Sequence, residues 1–467
     1  MIAIDLIIIL IALTTGNIQY SLFVIFLMWL SRKYYLASNS LIVYYILFFI
    51  ALPTGFRDQN LINLNLVIVF TLLVSIYLVQ KKNSRFLELL KWQKTALLII
   101  VIMALIVYLP IVFSTYLGIN IFDGLETQFV SNNRPSHMLG FAGPLLLSPL
   151  IIMVMIRSFN PSTNLDLLYK VLKSITFIIL VLSLLRFWLN VNFIPQDYTD
   201  IRYDGNRLTG FSHPDSLGFA RMLLFPLSIV ASFMFSGKLL RKDSILFLIL
   251  LLSLYATLSR TVFLSTTIIL IVVMLYNFQI KNVGKFLFPV FMVLALLVFS
   301  GIGSDLLSRN NTAEGGINVS GRDAMWVTAI NVIINSPFVG IRPGGWQIYL
   351  MNGVSWIDGS EVVVQGTHSF YLETATTWGI PILLMILFLL IYSSLELHKG
   401  IGLIKSNSKF KDFRVLINWC IGSQAISIGI LVHGISENVS IILIFFILGL
   451  SFSLTQLCKK YVNKLEF

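Results

Sequence analysis

Charge is scarce in this chain of 467 residues. Only 12% are Asp, Glu, Lys or Arg, against 57% hydrophobic, and the mean hydropathy is +0.88. A water-soluble fold cannot hide that much apolar surface, so lipid must cover it. Cysteine is nearly absent. Cys420 and Cys458 lie in or beside apolar runs, have no metal-ligand spacing and make no disulfide framework. No His-Glu-X-X-His run is present, which argues against a zinc hydrolase. No phosphate-cradling glycine motif stands on the basic loops, which argues against an ATP-driven machine. The first apolar stretch, from Ile2 to Leu30, is too long for a signal-peptide core and has no basic segment before it.

What is there is a succession of apolar runs. Stretches of about 20 residues span a bilayer, and they fall at roughly 4–30, 36–54, 62–80, 95–115, 139–157, 171–190, 215–236, 244–259, 261–278, 285–302, 377–396, 415–433 and 439–457. The first is readable as a broken helix or two short spans around Thr14-Thr15-Gly16-Asn17, and the eighth is short. The fold class expected is an all-α polytopic membrane protein with about 12–14 transmembrane helices. Basic clusters fall on alternate loops: Arg32-Lys33, Lys81 to Lys94, Lys170-Lys173, Lys238 to Lys242, Lys281-Lys285, Lys399 to Arg414 and Lys459-Lys460. The positive-inside rule makes that side cytoplasmic. It also accounts for the formal net charge of +12 without a nucleic-acid partner.

Lysine and arginine are sorted further. All 18 lysines fall on the cytoplasmic side. The basic residues of the opposite side are arginines: Arg57, Arg134, Arg186, Arg202, Arg207, Arg221, Arg260, Arg309, Arg322 and Arg342. A guanidinium stays charged and offers a planar fork that fits phosphate oxygens, although any one of them can equally serve a local ion pair.

The loops divide the chain into an N-terminal bundle over 1–302 with medium outer loops at 116–138 and 191–214, a large outer loop over 303–376, and C-terminal spans over 377–467. Structureless loops of roughly 75 residues are uncommon, so the large one is expected to hold short helices. It contains Gly321-Arg322-Asp323-Ala324-Met325-Trp326, then Asn335-Ser336-Pro337-Phe338-Val339-Gly340-Ile341-Arg342-Pro343-Gly344-Gly345-Trp346, then Gly366-Thr367-His368-Ser369-Phe370-Tyr371-Leu372-Glu373 ahead of Trp378-Gly379-Ile380-Pro381. His368 is the only histidine of this loop. An imidazole is the natural acid–base group near neutral pH, but a hydrogen-bonded structural histidine would look the same in sequence. Glu373 is placed either to orient that imidazole or to cap or pair nearby. Arg260 lies between two apolar runs, where a charge must be paired, wet or snorkelling to headgroups. The run Arg202-Tyr203-Asp204-Gly205-Asn206-Arg207 to His213-Pro214 leads into the span that carries Arg221. It is either a capped helix entrance or a polar and aromatic binding strip. Trp326, Trp346 and Trp356 are sugar platforms or interface anchors.

The order Gly-Arg, Trp, Asn-Ser-Pro, a glycine turn, Thr-His-Ser-Phe-Tyr-Leu-Glu and Gly-Ile-Pro resembles the signature of the bacterial O-antigen ligase and O-antigen polymerase superfamily. The resemblance covers about Leu258 to Leu383 at motif level. It implies a multi-spanning glycosyltransferase, GT-C-like, with one large periplasmic loop. It implies His368 as catalytic base, with Arg322 and the Ser259-Arg260 arginine as catalytic groups. Ser369 departs from the asparagine of many relatives. Arg207, His213, Arg221, Arg342 and Glu373 are the expected substrate-binding residues. The partners implied are donor and acceptor glycans on undecaprenyl diphosphate, membrane lipids and a separate chain-length regulator. No cofactor or metal is implied, and the outer loops hold no Asp-X-Asp pair for a metal–nucleotide complex. The reaction expected is polymerisation of lipid-linked repeat units by inverting transfer. Transfer to lipid A core by a ligase is the alternative within the superfamily, and a lipid-linked oligosaccharide flippase is the alternative of another class.

Overall fold

The computed structural model describes residues 18–38, 90–102, 148–156, 164–189, 216–236, 241–257, 259–277, 322–338, 340–341, 367–406, 413–437 and 441–465, with positions 9, 105, 159, 208, 356–357, 360–361 and 439. The elements in order are α1 (Ile18–Ser38), α2 (Leu165–Leu189), α3 (Ser216–Ser236), α4 (Arg241–Ala256), α5 (Arg260–Asn277), α6 (Arg322–Asn335), β1 (Trp356–Ile357), β2 (Ser360–Glu361), α7 (Phe370–Trp378), α8 (Ile380–Lys405), α9 (Arg414–His433) and α10 (Ile441–Leu465). Helix also runs over 91–102 and 148–156. The two short strands form one antiparallel pair. Among the described residues, α2, α3, α8, α9 and α10 are each long and apolar enough to cross a membrane. Apart from that short strand pair the described residues are helical, and the protein is a multi-pass membrane protein.

Helix is the form these apolar runs must take, because hydrocarbon offers no partner to a free backbone N–H or C=O. Interior hydroxyls obey the same constraint. Ser183 Oγ donates to Ile179 O at 2.7 Å, Ser265 Oγ to Thr261 O at 2.8 Å and Ser427 Oγ to Ser423 O at 2.8 Å. Helix α9 lies in the middle, packed against α3, α5, α8 and α10. Its glycines let the neighbours close in. A Cβ on Gly422 would lie 2.6 Å from Ile229 Cδ1, and one on Gly429 would lie 2.5 Å from Ile269 Cγ1.

The two ends of the bundle differ. At one end Lys173 pairs with Asp243 at 2.6 Å, and Glu396 takes Lys399 at 2.9 Å and Lys459 at 3.0 Å. There Lys405 Nζ also donates to Tyr276 O at 2.6 Å, and the Trp419 indole to Leu165 O at 3.1 Å. This is the lysine end expected from the loop charges. The buried thiols Cys420 and Cys458 are free, as expected, with sulfurs 3.5 Å apart. The opposite end carries α6, α7 and the turns that join them.

Candidate active site at the lysine-free end

The chain after α6 turns sharply and docks on the junction of α7 and α8. Gly340 N–H donates to Ser336 O at 3.1 Å and Ser336 Oγ to Gly340 O at 2.9 Å. Ile341 N–H then reaches Thr376 O at 2.7 Å, and Ile380 N–H reaches Pro337 O at 2.8 Å. Gly340 has φ +65°, and a Cβ there would lie 2.4 Å from Thr376 O. Glycine alone fits, so the Asn-Ser-Pro-Phe-Val-Gly run is a docking turn.

That docking fixes α6 beside the Thr367-His368-Ser369 segment. The Trp326 indole N–H donates to Thr367 O at 2.9 Å. Trp326 therefore holds the histidine loop. Glu373, one turn into α7, closes the loop from the other side. Its Oε2 accepts from Thr367 N–H at 3.0 Å and from Thr367 Oγ1 at 3.1 Å. Glu373 thus binds Thr367, two residues ahead of Ser369, the N-cap of α7.

Between these restraints His368 has φ +50°, the one described non-glycine residue at positive φ. The left-handed region is uncommon for residues with a Cβ, although His, Asn and Asp enter it more readily than most, and such strain persists only where neighbours enforce it. The imidazole is half-buried, and among the described residues nothing hydrogen-bonds to it.

The N-terminus of α7 is sewn to the end of α9. Phe370 N–H is shared between Gly434 O at 2.9 Å and Glu437 O at 3.2 Å, and Tyr371 Oη donates to Leu431 O at 2.5 Å. Carbonyls near a helix end have no intrahelical partner, so α9 offers acceptors and the histidine segment supplies donors. Burial pushes the Tyr371 phenol above its ordinary value, which keeps it a donor.

Beneath this seam lies His433, fully buried as the last residue of α9. It is within electrostatic reach of the Arg221 guanidinium and beside the Thr261 backbone. Neither His433 nitrogen has a hydrogen-bond partner of good geometry among the described residues. Arg221 stands in the second turn of α3, half-buried. Ser259 caps α5: Val262 N–H lies 3.4 Å from its Oγ, which also meets Thr261 Oγ1 at 3.1 Å. Arg260 is the first residue of α5 and Arg322 the first of α6; only their backbone positions are described.

Arg207, His213 and Arg342 lie outside the described residues. Leu208, next to Arg207, is buried and donates its N–H to Ala256 O at 2.9 Å, which ties that run to the end of α4, just before Ser259. His433 and buried Glu437 were not singled out in the sequence. The signal for them was a histidine and a carboxylate bracketing a very short link between two apolar spans. Residues 245–387, a stretch that holds α5, α6, α7, Arg260, Arg322 and His368, match the family model described as O-antigen ligase. A search of curated proteins found no match.

Proposed function

We propose that this protein is a membrane glycosyltransferase that transfers a glycan from a polyprenyl diphosphate, with His368 as the base. The observation that carries the proposal is the loop itself. A strained, half-exposed imidazole is held by Trp326 and Glu373 beside α6, at the end of the bundle opposite the lysine pairs. Strain that neighbours impose on one titratable residue is a mark of a working site.

In the proposed reaction an acceptor hydroxyl attacks the anomeric carbon of the donor sugar while His368 takes its proton. The bond from that carbon to the diphosphate oxygen breaks, and the polyprenyl diphosphate leaves with the electron pair. Negative charge grows on the leaving group, so fixed guanidinium groups lower the barrier most in the transition state. Arg322, Arg260 and Arg221 are the groups assigned to it, with Arg207 and Arg342 as further candidates on the same side. Direct displacement inverts the anomeric centre. His213 is assigned to the sugar.

The acceptor favoured is a second lipid-linked repeat unit, which makes the enzyme an O-antigen polymerase. An imperfect match to the shared motif, with Ser369 in place of the asparagine of many relatives, supports this, because the polymerising members are the more varied in sequence. Transfer to lipid A core is the second reading, favoured by the description of the matched family model. Purified protein given an undecaprenyl-diphosphate repeat unit is expected to produce a ladder of lengthened glycans. Transfer only to added lipid A core would replace the polymerase with the ligase. Movement of the lipid-linked glycan between leaflets with neither product would overturn glycosyl transfer.

A further inference from the structure

Helix α6 is apolar on two opposite faces. From Ala324 to Asn335 it carries no charged residue. One face, with Ala329 and Val332, is buried together with Met325, Ile341 and Leu372 of the docking turn and α7. The other presents Val327 (58% exposed), Ile330 (47%), Ile334 (68%) and, beyond the helix, Phe338 (77%). Steps of three and four residues put Val327, Ile330 and Ile334 in one stripe. Thr328, Asn331 and Asn335 share one flank between the two faces; an exposed apolar stripe of this kind marks a lipid or partner contact, and the second stripe of α6 is in no core.

The occupant is indicated by what the stripe adjoins. Phe338 follows Pro337, whose carbonyl receives the N–H of Ile380, the first residue of membrane-crossing α8. From there α8 carries its own exposed stripe, Leu384, Phe388, Ile391 and Leu395. Exposed apolar side chains thus run from a lipid-facing transmembrane helix up to α6 with a single turn between them.

We propose that α6 is an interfacial helix that seats its Val327–Ile330–Ile334–Phe338 stripe in the bilayer leaflet at the lysine-free end. Such helices lie along the interface with the apolar face in the acyl boundary. The seating requires only that α8 spans the bilayer, so it stands or falls separately from glycosyl transfer. Through the Trp326 to Thr367 hydrogen bond and the docking turn, the seated helix holds His368 at a fixed height above the membrane surface.

The test is nitroxide scanning of the full chain in proteoliposomes. Labels go on Ile330→Cys, Ile334→Cys and Phe338→Cys, with Leu384→Cys as the lipid reference and Asn335→Cys as the flank reference. All are exposed positions, so the substitutions leave packing intact, and the unsubstituted protein, whose cysteines are buried, serves as the blank. The expected result is a ratio of oxygen to water-soluble nickel collisions at the three stripe positions that matches Leu384→Cys and exceeds Asn335→Cys several-fold. Ratios typical of water at the stripe would overturn the proposal. So would labels that neither reagent reaches, because a protein partner would then cover the face.

Discussion

His368 unites two demands at one residue: a titratable ring and a left-handed backbone. Separate substitutions can divide them. Asparagine enters the left-handed region readily but carries no base. His368→Asn is therefore expected to keep the loop and abolish chain extension, and His368→Ala to abolish it as well, with unchanged protein level in membranes. Normal long-chain glycan from either variant would remove the base assignment. The loop's strain is held by few contacts: one indole, one carboxylate and the donors to Gly434 and Glu437. A strained backbone residue costs about 1–3 kcal/mol, which a handful of hydrogen bonds at about 1 kcal/mol each can offset.

Between elements, the structure concentrates its precision in the turn that follows α6. Gly340 places Ser336, Pro337 and Ile341 against the last turn of α7 and the first of α8. Gly340→Ala brings a methyl group to backbone atoms that cannot give way, in a region of φ that alanine avoids. The expected effect is a loss of at least about 2 kcal/mol of local stability, because positive φ alone costs about that much in a residue with a Cβ. It reads out as faster proteolysis within α6 and reduced transfer activity, while α8, α9 and α10 stay in the membrane. Unchanged proteolysis would show that the turn tolerates a Cβ.

For the whole bundle, α9 decides the spacing. It packs against α3, α5, α8 and α10, and its small residues admit α3 and α5. Ser232 Oγ of α3 donates to Asn418 O at 2.7 Å, and Ser423 meets Ser451 of α10 at 3.0 Å. Close approach through small residues is how membrane helices gain contact where lipid supplies no hydrophobic drive. A side chain at Gly422 would also meet Ile229 Cα at 3.0 Å, which is backbone. Gly422→Leu is expected to destabilise the bundle by about 1–3 kcal/mol or more by overpacking. The check is the temperature at which the detergent-solubilised protein aggregates. An unchanged value would mean that α3 can shift freely.

The sequence by itself determined the membrane class, most described spans and the end of the bundle where the described lysines pair. Hydrocarbon thickness fixes run length and lysine sorting fixes the ends, and both effects act on composition alone. Helix ends were legible on the lysine-free side, where α9 stops at His433 as read. On the lysine side α8 continues to Lys405 and α10 to Leu465, past the apolar runs, because lysine stems stay helical while their heads reach water. The motif singled out the segment around His368 and the start of α6, and both lie within the stretch that matches the family model. Only the tertiary structure decided that Trp326 binds a carbonyl, that Glu373 closes a loop, and that His433 is buried at the end of the helix to which the histidine segment is bonded. Those are contacts between residues far apart in the chain, and no local pattern encodes which donor will meet which orphan carbonyl once the helices pack.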